Sequence, residues 1–196
     1  MIALPVTLMV RKRSGQVLLG YSNAKFLIGG GTGTSKMFGS SLGNLLSSLQ
    51  GAGYSADQVD EIYVTHMHTD HIGGLMRDGQ PSFANATVRA NVREAGHYLS
   101  QSRMDAAPAD EREDYESAMA IFKPYVAAER FKPFHGATQL IPGVQAIPAP
   151  GHTPGHTIYV IGYFAAAAHV AFPGIGKLRA EGDGYAWIPV SYIFGR

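Results

Sequence analysis

Three histidines and an aspartate fall within six positions at His66-Met67-His68-Thr69-Asp70-His71, between the apolar run Ile62-Tyr63-Val64 and the pair Gly73-Gly74. Imidazole and carboxylate are the ligands that zinc and related first-row cations take. Residues two apart in an extended stretch face the same side, so His66 and His68 can reach one cation together. The chain then turns, which lets Asp70 and His71 point to a neighbouring position, while Gly73 and Gly74 permit close packing of the next turn. Random placement of the chain's histidines and aspartates gives this pattern with a probability of roughly 5 in 10,000, so coincidence is a poor explanation.

A second cluster lies far along the chain at Gly151-His152-Thr153-Pro154-Gly155-His156. His152, arriving from that distant loop, would supply a third ligand to the first cation. Coordination left open for water distinguishes a catalytic site from a closed structural one. His156 reads as a residue that supports a ligand or orders the loop rather than binding the ion itself. His97, His135 and His169 read as structural histidines.

Both clusters need rigid elements to aim them. Residues 59–65 read as a buried strand delivering the first motif, and 144–148 as a strand that ends in Ala149-Pro150-Gly151, with a further strand through Ile161 after the second motif. Loops at strand ends are where site residues concentrate, because the sheet holds them while the loop leaves them accessible. Leu42, Leu45, Leu46 and Leu49 at helical spacing, with Gly51 and Gly53 beyond, predict a short amphipathic helix over 41–50. Residues 87–90 predict a strand, with Asn91 as the N-cap of a helix through about Leu99. The acidic run Asp110, Glu111, Glu113, Asp114 and Glu116 suits the start of a helix by its dipole and reads as a solvated face. Pro124 is expected to interrupt that helix, and 131–135 to begin a loop. The two ends are harder to read: 1–31 shows one fair strand, 16–19, and 162–196 shows no sustained period of 2 or 3.6.

Length and composition bound the rest. At 196 residues the chain suits a single domain over 1–196. Hydrophobic residues at 45% and charged residues at 16% describe a folded chain and exclude a disordered one. A net charge of +1, with basic residues scattered apart from Arg11-Lys12-Arg13, gives no footprint for nucleic acid. The count of cysteines is 0, which removes disulfides, thiolate metal sites and cysteine nucleophiles together. The apolar opening, 1–10, precedes its basic cluster, the reverse of a secretory signal, and is too short to span a bilayer. A soluble protein without a membrane partner is therefore expected, cytoplasmic by default, with a missing secretory signal as the alternative.

The wording Thr-His-Met-His-Thr-Asp-His-Ile-Gly-Gly at 65–74 and Pro-Ala-Pro-Gly-His-Thr-Pro-Gly-His-Thr at 148–157 resembles the metallo-beta-lactamase fold hydrolases, and most of all their methyl parathion hydrolase and lactonase-like branch. The resemblance runs over 31–161. It implies an α/β fold, an αβ/βα sandwich of two mixed sheets with helices outside and a two-metal site at one edge. It implies that His66, His68 and His152 hold one metal and that Asp70 and His71 contribute to a second. A metal-bound hydroxide, oriented by Asp70, would attack an ester, lactone or phosphotriester bond of a small-molecule substrate. The implied cofactor is Zn2+, one or two ions, with Mn2+, Co2+ or Fe2+ as alternatives.

The chain also departs from the pattern. Ile28-Gly29-Gly30-Gly31 stands where members usually carry an Asp in a Val-Asp-Thr-Gly-like turn, and Phe172-Pro173-Gly174 stands near where the bridging Asp would be. Asp183 is the only aspartate downstream and the sole candidate substitute for the bridge; His169 is the last histidine. These departures imply an altered or truncated C-terminus, a weakened second metal and reduced activity. The alternatives are a thioester hydrolase like glyoxalase II or a sulfur dioxygenase of the same fold, and a non-catalytic metal-binding remnant. The specificity walls would come from a helical insertion over 98–134, whose Phe122, Tyr125, Phe131 and Phe134 suggest a homodimer contact.

Overall fold

The structure, a computed structural model, describes residues 7–10, 17–21, 24–31, 45–161, 164–166, 175–181 and 184–189. Strands β1 (Thr7–Val10), β2 (Val17–Tyr21), β3 (Ala24–Ile28), β4 (Glu61–Tyr63) and β7 (Thr87–Arg89) form one sheet in the order β1-β2-β3-β4-β7. Its first three strands are antiparallel, and β3, β4 and β7 run parallel. A second sheet has the order β13-β12-β11-β10-β9-β8, from β8 (Thr138–Ile141), β9 (Val144–Pro148), β10 (Thr157–Ile161), β11 (Phe164–Ala166), β12 (Ile175–Glu181) and β13 (Gly184–Pro189). The small hairpin of β5 (Met76–Arg77) and β6 (Gln80–Pro81) stands apart. The expected sandwich is present, with one refinement: the second sheet is antiparallel throughout rather than mixed.

Strand periodicity divides the core into two layers. Phe26 and Ile28 of β3 and Tyr63 of β4 point between the sheets, where they meet Val144, Ala146, Tyr159, Ile161 and Phe134. Leu27 and Ile62, one position out of phase, point to the other face and pack with Val64 and Val88 under the helices. That alternation is what a period of two delivers when both faces of a strand are buried. Burying each such large side chain contributes about 1.5–3 kcal/mol.

The helical layer consists of α1 (Leu45–Gly51), α2 (Thr69–Ile72), α3 (Val92–Tyr98), α4 (Gln101–Ala106) and α5 (Arg112–Ala127). Asn91 caps α3 as expected, its side chain accepting from the Arg93 amide at 2.9 Å. The helix α4 falls within the stretch 98–134 read as a helical insertion. Pro124 does not interrupt α5, which continues to Ala127. The apolar face of Tyr115, Ala118, Ile121, Phe122 and Tyr125 is buried, and that burial outweighs the roughly 3 kcal/mol a proline costs inside a helix. The acidic run is solvent-facing except for Asp114, which turns inward to accept from the Thr69 hydroxyl at 3.2 Å.

Three further expectations change. Segment 131–135 is extended rather than a plain loop, since Phe131 bridges Val88 and Phe134 bridges Asn91, both in parallel sense. The strand expected at 16–19 is β2, and the remainder of the two ends, without a readable period, contributes β1, β3 and β11 to β13. The aromatic residues that suggested a dimer surface are used inside the chain: Phe122, Tyr125 and Phe134 are buried and Phe131 packs on Phe122 at 4.8 Å. No helix among the described residues is long and apolar enough to cross a membrane.

Candidate metal centre

The first motif leaves the end of β4 at a point where the two sheets are tied together. The Tyr159 hydroxyl donates to the Val64 carbonyl at 2.7 Å, and the Thr157 amide donates to the Thr65 carbonyl at 2.9 Å. These bonds join the residues just before His66 to the strand that follows His156, so the two motifs open onto the same edge. The second loop is closed by its own backbone: the Ala149 amide donates to the His156 carbonyl at 2.7 Å, and the Gly151 amide to the Thr153 carbonyl at 3.2 Å.

At that edge the rings of His66, His68 and His152 form a nearly equilateral group, with centroids 4.8, 4.7 and 4.7 Å apart and planes close to perpendicular. The Nε2 atoms of His66 and His152 lie 3.2 Å apart across 86 residues of sequence. Two imidazole nitrogens on a tetrahedral zinc-like ion, each bonded at about 2.0–2.1 Å, stand about 3.3 Å from one another. The observed spacing thus suits a shared cation. One ligand atom from each of His66, His68 and His152 can be chosen so that all lie within 4.8 Å of each other, and the same holds for His66, Asp70 and His71. His66 belongs to both groups and therefore sits between the two positions.

The electrostatics agree with a cation. Burial, and then the neighbouring rings of His71, His68, His156 and His152, push the pKa of His66 far below its ordinary value. His68 is lowered as well, chiefly by burial, although Asp114, Asp70 and Glu94 pull the other way. The imidazoles are thus kept neutral with lone pairs available, the form in which histidine ligates metal. His66 is fully buried, His68 is half-buried and His152 is exposed, so the group is open on one side only.

Asp70 and His71 lie on α2, directly after His68. His71 Nε2 approaches Asp70 Oδ2 at 3.1 Å, and that contact, opposed by burial, holds the Asp70 carboxyl below its usual range. The glycine loop after β3 supports this helix through its backbone. The Gly30 amide donates to the His71 carbonyl at 2.6 Å, and the Gly74 amide donates to the Gly31 carbonyl at 2.9 Å. A side chain at position 30 would meet Leu75 Cγ at 2.8 Å, so a glycine is required for this approach. His156 is buried with its ring 5.2 Å from that of His66, and its backbone carbonyl accepts from the Ala149 amide within the second loop. Asp183 and His169 lie outside the described residues.

Several participants were missed at the level of sequence. Glu94, on α3, is the only acidic side chain in the fully buried class among the described residues. Its Oε1 accepts from the Met67 amide at 2.9 Å; its Oε2 accepts from the Thr153 hydroxyl at 2.9 Å and the Gly155 amide at 2.7 Å. Burial raises its pKa while these three donors lower it. The one local signal, Asn91-Val92-Arg93-Glu94, reads as a capping box and would have turned the carboxylate back on its own helix. Tyr98, one turn later, places its hydroxyl 2.8 Å from His68 Nε2, and the Thr65 hydroxyl lies 3.2 Å from His66 Nδ1.

Known proteins share the fold. The model of the metallo-beta-lactamase superfamily matches residues 16–174. N-acyl homoserine lactonase AiiA of Bacillus thuringiensis subsp. kurstaki is 28% identical over 112 residues, which is 57% of this chain and 36% of that protein's length. The match therefore spans about a third of the curated relative. Among solved structures, hydrolase AbOPH of the beta lactamase superfamily superposes with a TM-score of 0.73 at 29% identity, covering 91% of this chain and 80% of that one. AidC, a dizinc quorum-quenching lactonase in complex with the product N-hexanoyl-L-homoserine, superposes at 0.71 with 22% identity and the same coverage of 91% and 80%, a likeness of fold. With its two histidine loops converging at the sheet edge and the model match extending over most of its length, the chain belongs to the metallo-beta-lactamase superfamily.

Proposed function

We propose that the protein is a metal-dependent hydrolase acting on an ester, lactone or phosphotriester bond of a small molecule. The observation that carries this reading is the convergence of His66, His68 and His152, from two loops, onto one point at an open sheet edge. Those three side chains would hold a zinc-like ion, and His66, Asp70 and His71 are the group from which a second would be bound. A divalent ion held there supplies Lewis acidity and water that ionises near neutral pH.

The chain's own residues prepare the reaction around that ion. Burial disfavours the protonated forms of His66 and His68, and Tyr98 and Thr65 each engage one ring nitrogen, Nε2 of His68 and Nδ1 of His66, which fixes tautomer and orientation. Asp70, kept ionised by His71, is the carboxylate at which a water proton can be accepted and the water oriented. The exposed face at His152 admits a substrate, while Met67, Tyr98 and Tyr115 are buried. The lactonase relative favours a lactone substrate over other carbonyl compounds.

The test is metal content per chain after mild dialysis, paired with turnover of lactone, aryl ester, phosphotriester and thioester substrates. The expected result is bound zinc or a similar ion and hydrolysis of an oxygen ester or phosphoester, both lost in a His66→Ala/His68→Ala variant that still folds. Bound iron with sulfur oxidation would replace this reading with the dioxygenase. Bound metal without turnover of any substrate would replace it with a metal-binding remnant.

A further inference from the structure

We propose that Glu94 is the positioning residue of this centre: its buried carboxylate holds the loop carrying His66 and His68 in register with the loop carrying His152. The inference rests on the metal-binding reading above. Oε1 takes the amide of Met67, the residue between the first two histidines, at 2.9 Å. Oε2 takes the Thr153 hydroxyl at 2.9 Å and the Gly155 amide at 2.7 Å, immediately after the third histidine. One side chain therefore touches both ligand loops, across separations of 27, 59 and 61 residues, through atoms that are themselves fully or nearly buried.

The approach is tight on the second loop. A Cβ at Gly155 would lie 2.3 Å from the Glu94 amide nitrogen and 2.7 Å from Glu94 Cβ, so the loop rests directly on the helix and only glycine permits it. Helix α3 is itself fixed. Asn91 caps it, the Val92 amide donates to the Phe134 carbonyl at 2.8 Å, and the Phe134 amide donates to the Ala90 carbonyl at 2.9 Å. A buried carboxylate is costly to desolvate, and an apolar side chain would serve stability alone at least as well. What the carboxylate adds is direction, because it accepts from donors on two loops at once and sets their separation. Groups that orient metal ligands in this way change metal affinity when removed, often with little change of fold.

The experiment compares the wild-type chain with Glu94→Gln, which keeps the volume. Gln has one carbonyl oxygen, so it can accept from the Met67 amide or the Gly155 amide but not both. Zn2+ and Co2+ affinities are measured by competition with a chromophoric chelator, the visible absorption of the Co2+ form is recorded, and the fold is followed by far-ultraviolet circular dichroism. The expected result is an affinity about 10- to 100-fold lower with an altered Co2+ spectrum and an unchanged fold signal. Thr153→Val, which removes one donor and leaves Glu94 in place, should show a smaller loss, and the double variant should lose less than the product of the two fold-changes. Wild-type affinity and spectrum in Glu94→Gln would overturn the proposal, whatever its melting temperature; should that variant not fold, wild-type affinity and spectrum in Thr153→Val would overturn it. A wild-type chain that takes up no ion defeats the metal reading and this inference with it, whereas tight binding by both wild type and Glu94→Gln defeats this inference alone.

Discussion

His66 and His68 are adjacent on one face, yet opposite ring nitrogens are engaged: Nδ1 of His66 lies beside the Thr65 hydroxyl and Nε2 of His68 beside the Tyr98 hydroxyl. Nε2 of the first and Nδ1 of the second are thereby left to face an ion, which is how two residues separated by a single methionine can share one. For Nδ1 of His68 to keep its lone pair for an ion, Nε2 carries the proton and donates to the Tyr98 oxygen; the phenol itself stays neutral, its pKa raised by burial and by the nearby Glu94 and Asp114. Replacing Tyr98 with Phe removes the hydroxyl and leaves the ring packed against Tyr115, whose centroid is 5.3 Å away. The expected outcome is a metal affinity about tenfold weaker with little loss of stability, read by chelator competition beside a thermal melt. Equal affinity in the two proteins would show that the contact does not orient His68.

The helix α5 supplies the lid over the parallel strands, and one side chain from it does more than fill space. Tyr125 sends its hydroxyl into the turn after α2, donating to the Leu75 carbonyl at 2.9 Å and accepting from the Phe83 amide at 3.3 Å. Burial pushes its pKa up to about 12, so the donor is present at any physiological pH. Tyr125→Phe leaves the buried Phe83 amide without its acceptor, while the Leu75 carbonyl still accepts from the Ser82 amide, and should cost about 1–3 kcal/mol in denaturant unfolding; a midpoint equal to that of wild type would show that water or a small shift satisfies the amide. This contact also shows where sequence reasoning stops. The spacing of Tyr115, Ala118, Ile121, Phe122 and Tyr125 marks a buried helix face, but nothing local says that it is strong enough to carry the helix through Pro124. The strand before the first motif and the cap at Asn91 were legible because pattern and capping chemistry are local. Glu94 was not, since its partners lie 27 to 61 residues away and its setting imitates a capping box.

Across the whole chain, the site is assembled from both halves of the sandwich, with His66 and His68 from the loop after β4 and His152 from the loop between β9 and β10. The histidines of each loop were legible in the sequence because their spacing is dense, and His152 was expected to join His66 and His68; the bonds that bring the loops together, such as Thr157 to Thr65 from one sheet to the other, were not legible. An ion bound by all three would span that junction and favour the folded state over the unfolded one, where the loops are far apart. The stabilisation is set by mass action: at a free ion concentration a thousandfold above the dissociation constant it reaches about 4 kcal/mol. For a chain of this length that corresponds to a melting temperature higher by about 8–16 °C. Chelation should therefore lower the melting temperature of the wild-type protein by an amount that grows with the ion concentration originally present. The His152→Ala variant should melt near the chelated wild type and respond little to added zinc, because the remaining histidines lie in one loop and no longer bridge the sheets. A melting temperature indifferent to chelator in a protein shown to contain metal would place the ion away from this junction.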